Sequence, residues 1–184
     1  MPASSSSLFT SLILCPISFF LGVIFLNWTY DHHTLWDATP QSEAFAASKA
    51  HYKQIADAPY IIQHVFHGIV AVGLVGFLAK LYKPSESNRL FDGGSLVLYM
   101  AALIVYLTNI RRGFFSVFYN DWGEVSEEMG LNVMAASQTI AAVCLLGALG
   151  LQAGQFYAER QNDIIAANAR QEESAEAPEA KKTK

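Results

Sequence analysis

Apolar residues in this chain fall into four long blocks, and the charged residues sit between them. The first block is Leu8 to Trp28 (LFTSLILCPISFFLGVIFLNW) and the second is Tyr60 to Tyr82. The third is Leu96 to Ile110, extended back to Phe91, and the fourth is Leu131 to Tyr157. A hydrocarbon core of ~30 Å takes about 20 helical residues rising ~1.5 Å each, and the blocks are of that length. The pattern predicts an all-α polytopic membrane protein with transmembrane helices at about 8–28, 60–82, 91–110 and 131–157. These make up a membrane domain over residues 1–158, followed by a polar tail over 159–184.

Local signals mark the ends of the blocks. Pro59 suits a first helical turn, where its missing N–H costs nothing, and Pro84 cannot continue the helix. Arg111-Arg112 is read as the stop of the third block, since each charge would cost ~2.5–3.5 kcal/mol at the bilayer centre. Ser126 is an N-cap for the fourth helix, with Glu127 and Glu128 complementing its dipole. Pro16 marks a kink in the first helix, and Trp28 and Tyr30 suit the interface. No Lys or Arg precedes that helix, its run exceeds a signal-peptide core, and no small-x-small site follows, so it reads as retained. Between the first two blocks, Thr39-Pro40 opens a short amphipathic helix in which Phe45, Tyr52, Ile55 and Ala56 recur at helical spacing, ending near Asp57. Beyond Arg160 the chain is Ala/Glu/Lys-rich and is expected to be helical at first and disordered later.

Composition sharpens this picture without changing it. The 184 residues are 52% hydrophobic and 15% charged, with a net charge of −4. No basic patch exists to neutralise phosphates, so a nucleic-acid partner is excluded. Cys15 and Cys144 lie inside apolar blocks and read as small buried hydrophobes. Four crossings put both termini and the 80–90 loop on one side, with Lys80, Lys83, Arg89, Arg160 and Arg170 near the membrane. The opposite side carries Lys49, Lys53, Arg111 and Arg112. The positive-inside rule then sets the termini in the cytosol and the amphipathic helix in the lumen. The terminal Lys-Lys-Thr-Lys matches a dilysine retrieval signal at Lys181 and Lys182, an address for the endoplasmic reticulum. Asn27-Trp28-Thr29 is a formal glycosylation sequon at the membrane boundary, where modification is not expected.

Residues suited to chemistry are few. His64 and His67 lie at i and i+3 on the second helix, but a haem or metal site needs facing partners. The remaining histidines, His32, His33 and His51, are in the first loop. The favoured reading is two polar side chains near a helix end, bonded to neighbours or headgroups. Blocks one, two and four hold no carboxylate, and Asp92 is at the edge of the third, so nothing argues for proton-coupled transport. Asn109 and Gln138 read as hydrogen-bonding links between helices. No nucleophile–base pair, phosphate loop or Cys/His cluster is present, and the expectation is a non-enzyme without cofactor or metal. Ser18-x-x-x-Gly22 and Gly150-x-x-x-Gly154 permit close helix approach, within the bundle or against another protein.

Several stretches carry a resemblance that spans residues from about 19 to 157. They are Leu21-Gly22 with Phe25, Asn27, Tyr30-Asp31 and Leu35-Trp36; Gly73-Leu74-Val75-Gly76 through Leu81-Tyr82-Lys83-Pro84 to Leu90-Phe91-Asp92-Gly93; Tyr106-Leu107-Thr108-Asn109-Ile110; and Trp122-Gly123-Glu124-Val125 with Ala136-Ser137-Gln138. In order and spacing the chain resembles the fungal endoplasmic-reticulum packaging chaperones for amino-acid permeases, the secretory-component family. The resemblance implies a four-span protein of that membrane that keeps nascent permeases from aggregating, with a cytosolic tail associated with coat components and vesicle packaging. It marks Asn109, Trp122, Gly123, Glu124 and Gln138 as candidates for client contact or packing. The alternative is a small transporter or channel subunit of the same membrane.

Overall fold

The protein is a helical bundle in this computed structural model, which describes residues 3–37, 42–82 and 88–180. In chain order the helices are α1 (Ala3–Leu35), α2 (Ser42–Ala56), α3 (Tyr60–Tyr82) and α4 (Asn88–Val105). A π-helical turn (Tyr106–Ile110), α5 (Arg111–Tyr119) and α6 (Glu127–Ala180) follow, and no strand occurs among the described residues. Among the described residues four stretches are long and apolar enough to cross a membrane: Leu8–Leu35, Tyr60–Tyr82, Arg89–Tyr119 and Glu127–Gln171.

Close approach between helices depends on missing side chains. A Cβ on Gly76 would meet Ile13 and Leu12 of α1 at 3.0 Å, and one on Gly73 would collide with the Tyr99 ring. Glycine therefore lets α3 lie directly on α1 and receive Tyr99 of α4. Ile13, Ile17, Phe77, Tyr99, Ala102, Ile110, Ala141, Leu145 and Ala148 fill the centre. The Tyr99 hydroxyl donates to the Val70 carbonyl at 3.2 Å.

α2 folds over one end of this bundle. Its Phe45, Ser48 and Tyr52 are buried at the three- and four-residue spacing that makes one helical face. Phe45 and Tyr52 pack with Val117 of α5 and with Leu131 and Met134 of α6. Lys49 Nζ reaches Glu127 at 2.5 Å and Asn120 Oδ1 at 2.7 Å, tying the outer face of α2 to the start of α6.

Three boundaries differ from those the hydrophobic pattern predicts. Arg111 and Arg112 do not end their helix, which continues through the π-turn and α5 to Tyr119. Both side chains are exposed, and the Arg111 guanidinium lies 5.1 Å from the Phe115 ring centre. A charge that can snorkel to the interface limits the apolar span without breaking backbone hydrogen bonds. α1 runs past Trp28 to Leu35, and Tyr52 of α2 packs against that extension at Asp31. α6 opens at Glu127, as expected from Ser126 as N-cap, and the Met129 N–H donates to Ser126 Oγ at 3.2 Å. The tail expected to lose its order is helical to Ala180, in keeping with its many Ala, Glu, Gln and Arg residues. Thr39 and Pro40, as well as Lys181 and Lys182, lie outside the described residues.

Candidate functional site

The polar groups in the bundle gather at its two ends. At the α2 end they form a directional chain of hydrogen bonds. His51 Nε2 donates to Asn27 Oδ1 at 2.9 Å, and Asn27 Nδ2 donates to Gln138 Oε1 at 2.8 Å. Gln138 Nε2 donates to the Tyr52 hydroxyl at 2.5 Å, which donates in turn to Asp31 Oδ1. The chain passes from α2 to α1, α6, α2 and back to α1, so three helices are stitched by one relay. Every donor points the same way and the last acceptor is a carboxylate, an arrangement in which each bond polarises the next. Asn27, Asp31 and Gln138 are at most 6% exposed, where a lost partner could not be replaced by water. Burial raises the Tyr52 pKa, reinforced by the Asp31 carboxylate beside it, so this hydroxyl remains a donor. Burial lowers the His51 pKa and favours the neutral ring, which stacks on Tyr30 with ring centres 4.0 Å apart.

At the opposite end the centre is an ion pair. Lys80 Nζ lies 2.9 Å from Asp92 Oδ1, with side chains 9% and 5% exposed. The same ammonium donates to Gln152 Oε1 at 2.9 Å and Gln155 Oε1 at 3.0 Å, which uses all three of its protons. The two amides return the favour to the carboxylate, Gln152 Nε2 to Asp92 Oδ1 at 3.1 Å and Gln155 Nε2 to Oδ2 at 3.2 Å. Gln152 also donates to Ser95 Oγ at 3.1 Å. Spacing of i and i+3 on α6 sets both amides on one face, so α3, α4 and α6 meet at one closed knot.

The residues picked out from sequence are dispersed over this framework. Gln138 is the middle of the relay. Asn109 sits in the π-turn and donates to Ser137 Oγ at 3.0 Å, while Thr108 bonds back to the Ile104 carbonyl at 2.8 Å. Trp122 lies against Gly130, where a Cβ would collide with its ring, and so closes the α5–α6 loop over α6. Gly123 has φ +63°, a left-handed turn that glycine adopts freely, and its N–H donates to Asp121 Oδ1 at 3.0 Å. Glu124 is exposed. Ser18, Gly22 and Gly150 are exposed, with nothing within 4 Å of a Cβ at either glycine, and Gly154 faces the Phe91 ring at 3.4 Å. His64 is exposed, and the His67 ring lies 3.4 Å from the Tyr106 hydroxyl. Among the described residues no three His, Cys, Asp or Glu side chains form a metal-holding group.

Comparison with known proteins decides the family. The chain matches the SHR3 chaperone family, described as ER membrane protein SH3, over residues 4–184. It belongs to this family. The secretory component protein psh3 of Schizosaccharomyces pombe is 26% identical over 168 residues, covering 89% of this chain and 78% of that protein. No solved structure matches. As a member of the ER membrane protein SH3 family the chain is a chaperone of the endoplasmic-reticulum membrane, and the family description points to a role without catalysis. The clients implied are other membrane proteins.

Sequence reasoning did not connect Asn27, Asp31, His51 and Tyr52, or Lys80, Asp92, Gln152 and Gln155. Asp31 enters the sequence reading only through the resemblance, because the first apolar block ends at Trp28, whereas α1 continues to Leu35. The pair Gln152 and Gln155 was the available signal, since two amides at i and i+3 near the end of an apolar helix call for a polar partner.

Proposed function

We propose that this chaperone assists amino-acid permeases, holding their nascent helices apart from one another and supporting their entry into transport vesicles. The observation that carries the reading is the membrane-facing surface the bundle leaves without a helical neighbour. The first turns of α3 are exposed on all sides, with Tyr60 at 77%, Ile61 at 67% and Val65 at 52%. On α1 and α6 the sites at Gly22 and Gly150 are open. A half-made permease displays small-residue faces and polar groups before its own helices arrive, and faces of this kind can receive them reversibly. The contacts must stay weak, because a permanent partner would block folding.

In this reading four crossings leave both termini in the cytosol and α2 in the lumen. The exposed part of α6 beyond Arg160 then meets coat components, and Lys181 and Lys182 return the protein to the endoplasmic reticulum. A strain lacking the protein is expected to retain aggregated amino-acid permeases in the endoplasmic reticulum while general secretion continues. Normal arrival of permeases at the plasma membrane in that strain overturns the reading. Replacing Gly22 and Gly150 together by Leu is expected to leave the bundle folded and to lower crosslinking to newly made permeases.

A further inference from the structure

The spanning helix α3 has two unlike faces. One carries Gly73 and Gly76, where an added Cβ would run into Tyr99 or into Leu12 and Ile13, so it is packed tight. Among the described residues α3 packs against α1 and α4 and against no other helix. The opposite face carries Ile61, His64, Gly68, Ala71, Val75 and Leu78, all of them exposed. These positions follow one another in alternating steps of three and four residues. That is the period, about 3.5 residues, of a seam between two helices that cross with a left-handed twist. From Ile61 to Leu78 the seam runs roughly 26 Å at ~1.5 Å per residue, close to the ~30 Å of a hydrocarbon core.

Contact with lipid does not account for the composition of that face. Elsewhere the outward positions of the spans are bulky and aliphatic: Leu90, Val97 and Ile104 on α4, and Ile140, Val143 and Leu146 on α6, each more than half exposed. On α3 the middle of the outward face is Gly68 and Ala71 instead. Nothing lies within 4 Å of a Cβ placed on Gly68, so no contact inside the chain requires glycine there, in contrast to Gly73 and Gly76. The missing side chain leaves a dip half-way along the seam, and such a dip lets a second helix backbone come close.

His64 adds one polar point to the seam. It stands about one turn inside the α2 end of α3, is exposed, and among the described residues has no hydrogen-bond partner. His67, off the seam, has the Tyr106 hydroxyl beside it. An ionisable side chain on a membrane helix normally faces the bundle or pairs with a neighbour. A neutral imidazole offers one N–H and one acceptor nitrogen, which a carboxamide or hydroxyl on a facing helix can meet. Hydrogen bonds of that kind join helices in lipid. The seam therefore suits a helix that is small at its centre and polar near one end.

We propose that this seam of α3 docks one transmembrane helix of a client, its small residues against Gly68 and Ala71 and a carboxamide or hydroxyl side chain level with His64. The occupant is a client helix because membrane proteins are what this chaperone family serves, and a face that clients share has to stand vacant in the free chaperone. The proposal deepens the client reading above and rests on it for which proteins come to the seam. Selection then lies in helix chemistry: segments with small and amide residues dock, and uniformly bulky ones are left to lipid.

The full-length protein in phosphatidylcholine vesicles, with a donor dye at its C-terminus, tests this by energy transfer to synthetic transmembrane helices that carry an acceptor dye. The first is a Leu-rich helix with two central glycines four positions apart and a Gln one turn from each end. The second has Leu in place of Gln, and the third is Leu throughout. The first is expected to bind about three-fold more tightly than the second, the order of one hydrogen bond between helices, and the third several-fold more weakly than either. His64→Leu should abolish the difference between the first two helices, and Gly68→Leu should weaken both of them several-fold. Both positions are exposed, so either variant is expected to fold. Val97→Ala, on the outward face of α4, should bind as wild type does. Equal affinity for the three helices overturns the proposal, as does wild-type selectivity in the two seam variants or an equal loss in Val97→Ala. Association between two copies without any added helix, lost in Gly68→Leu, also overturns it and assigns the seam to a second copy of this chain. No permease is present in this measurement, so its failure is distinct from normal permease arrival in the deletion strain, which would change the clients and leave the seam.

Discussion

Each end of this bundle buries a carboxylate about one turn from a helix terminus, and the two are managed in different ways. Asp92 is neutralised inside the chain by Lys80, with Gln152 and Gln155 completing both partners' hydrogen bonds. Asp31 ends a relay of neutral donors and has no resident cation among the described residues. One end is closed on itself and joins spanning helices only. The other depends on α2, a short helix outside the four spans that supplies both His51 and Tyr52. A buried ion pair with every proton used has little reason to open, whereas a relay that borrows two members from a peripheral helix can be released by moving that helix. The first end is held by spanning helices alone, and the second by the docking of α2.

Four changes would break or sharpen that comparison. Lys80→Met should have the largest effect, about 3–5 kcal/mol in equilibrium unfolding from mixed micelles, because it strands Asp92 without a counter-charge. Adding Asp92→Leu should restore most of the loss, and a single variant as stable as wild type would mean that the ion pair does not hold this end. Gln138→Leu cuts the relay in its middle and is expected to cost about 1–3 kcal/mol. Hydrogen exchange should then quicken across residues 42–56 while α3 stays protected; uniform exchange across the bundle would remove the claim that α2 is separable.

Smaller changes lie between and beside the two ends. Asn109→Leu removes the bond from the π-turn to Ser137, with an expected loss of about 0.5–1.5 kcal/mol in the same unfolding measurement. The smallest effect is that of pH. Burial lowers the His51 pKa, so near pH 6 the unfolded chain binds more protons at this residue than the folded one. Its contribution is therefore fully present above the free-histidine value of about 6.5 and declines as pH falls below it. Protection of α2, taken relative to the intrinsic exchange rate at each pH, should fall between pH 7.5 and 5.5, and His51→Gln should flatten that response.

The four spans were legible in the sequence because solvation by lipid depends on a local property, the length of an uninterrupted apolar run. The face of α2 that turns inward was legible in part, from the periodic recurrence of Phe45 and Tyr52. Gln138 and Asn109 could be picked out as polar residues within apolar helices, but not their partners. Gln138 reaches Tyr52 across 86 positions and Lys80 reaches Gln152 across 72, separations that no local pattern encodes. The continuation of helix past Arg111-Arg112 was misread for a related reason. The cost of charge depends on depth and on reach to the interface, and neither is written in the order of residues.

What the sequence determined by itself is the solvent of each segment: long greasy runs can satisfy their backbone only as helices within a bilayer. What the tertiary structure decided is which polar group meets which, and that α2 covers the bundle end, leaving Asp31 buried as the last acceptor of the relay. The physical reason is that apolar side chains give no preference among helix neighbours in lipid. Neighbours are chosen where glycine permits contact, as at Gly73 and Gly76, and where a buried polar atom must find its one available partner.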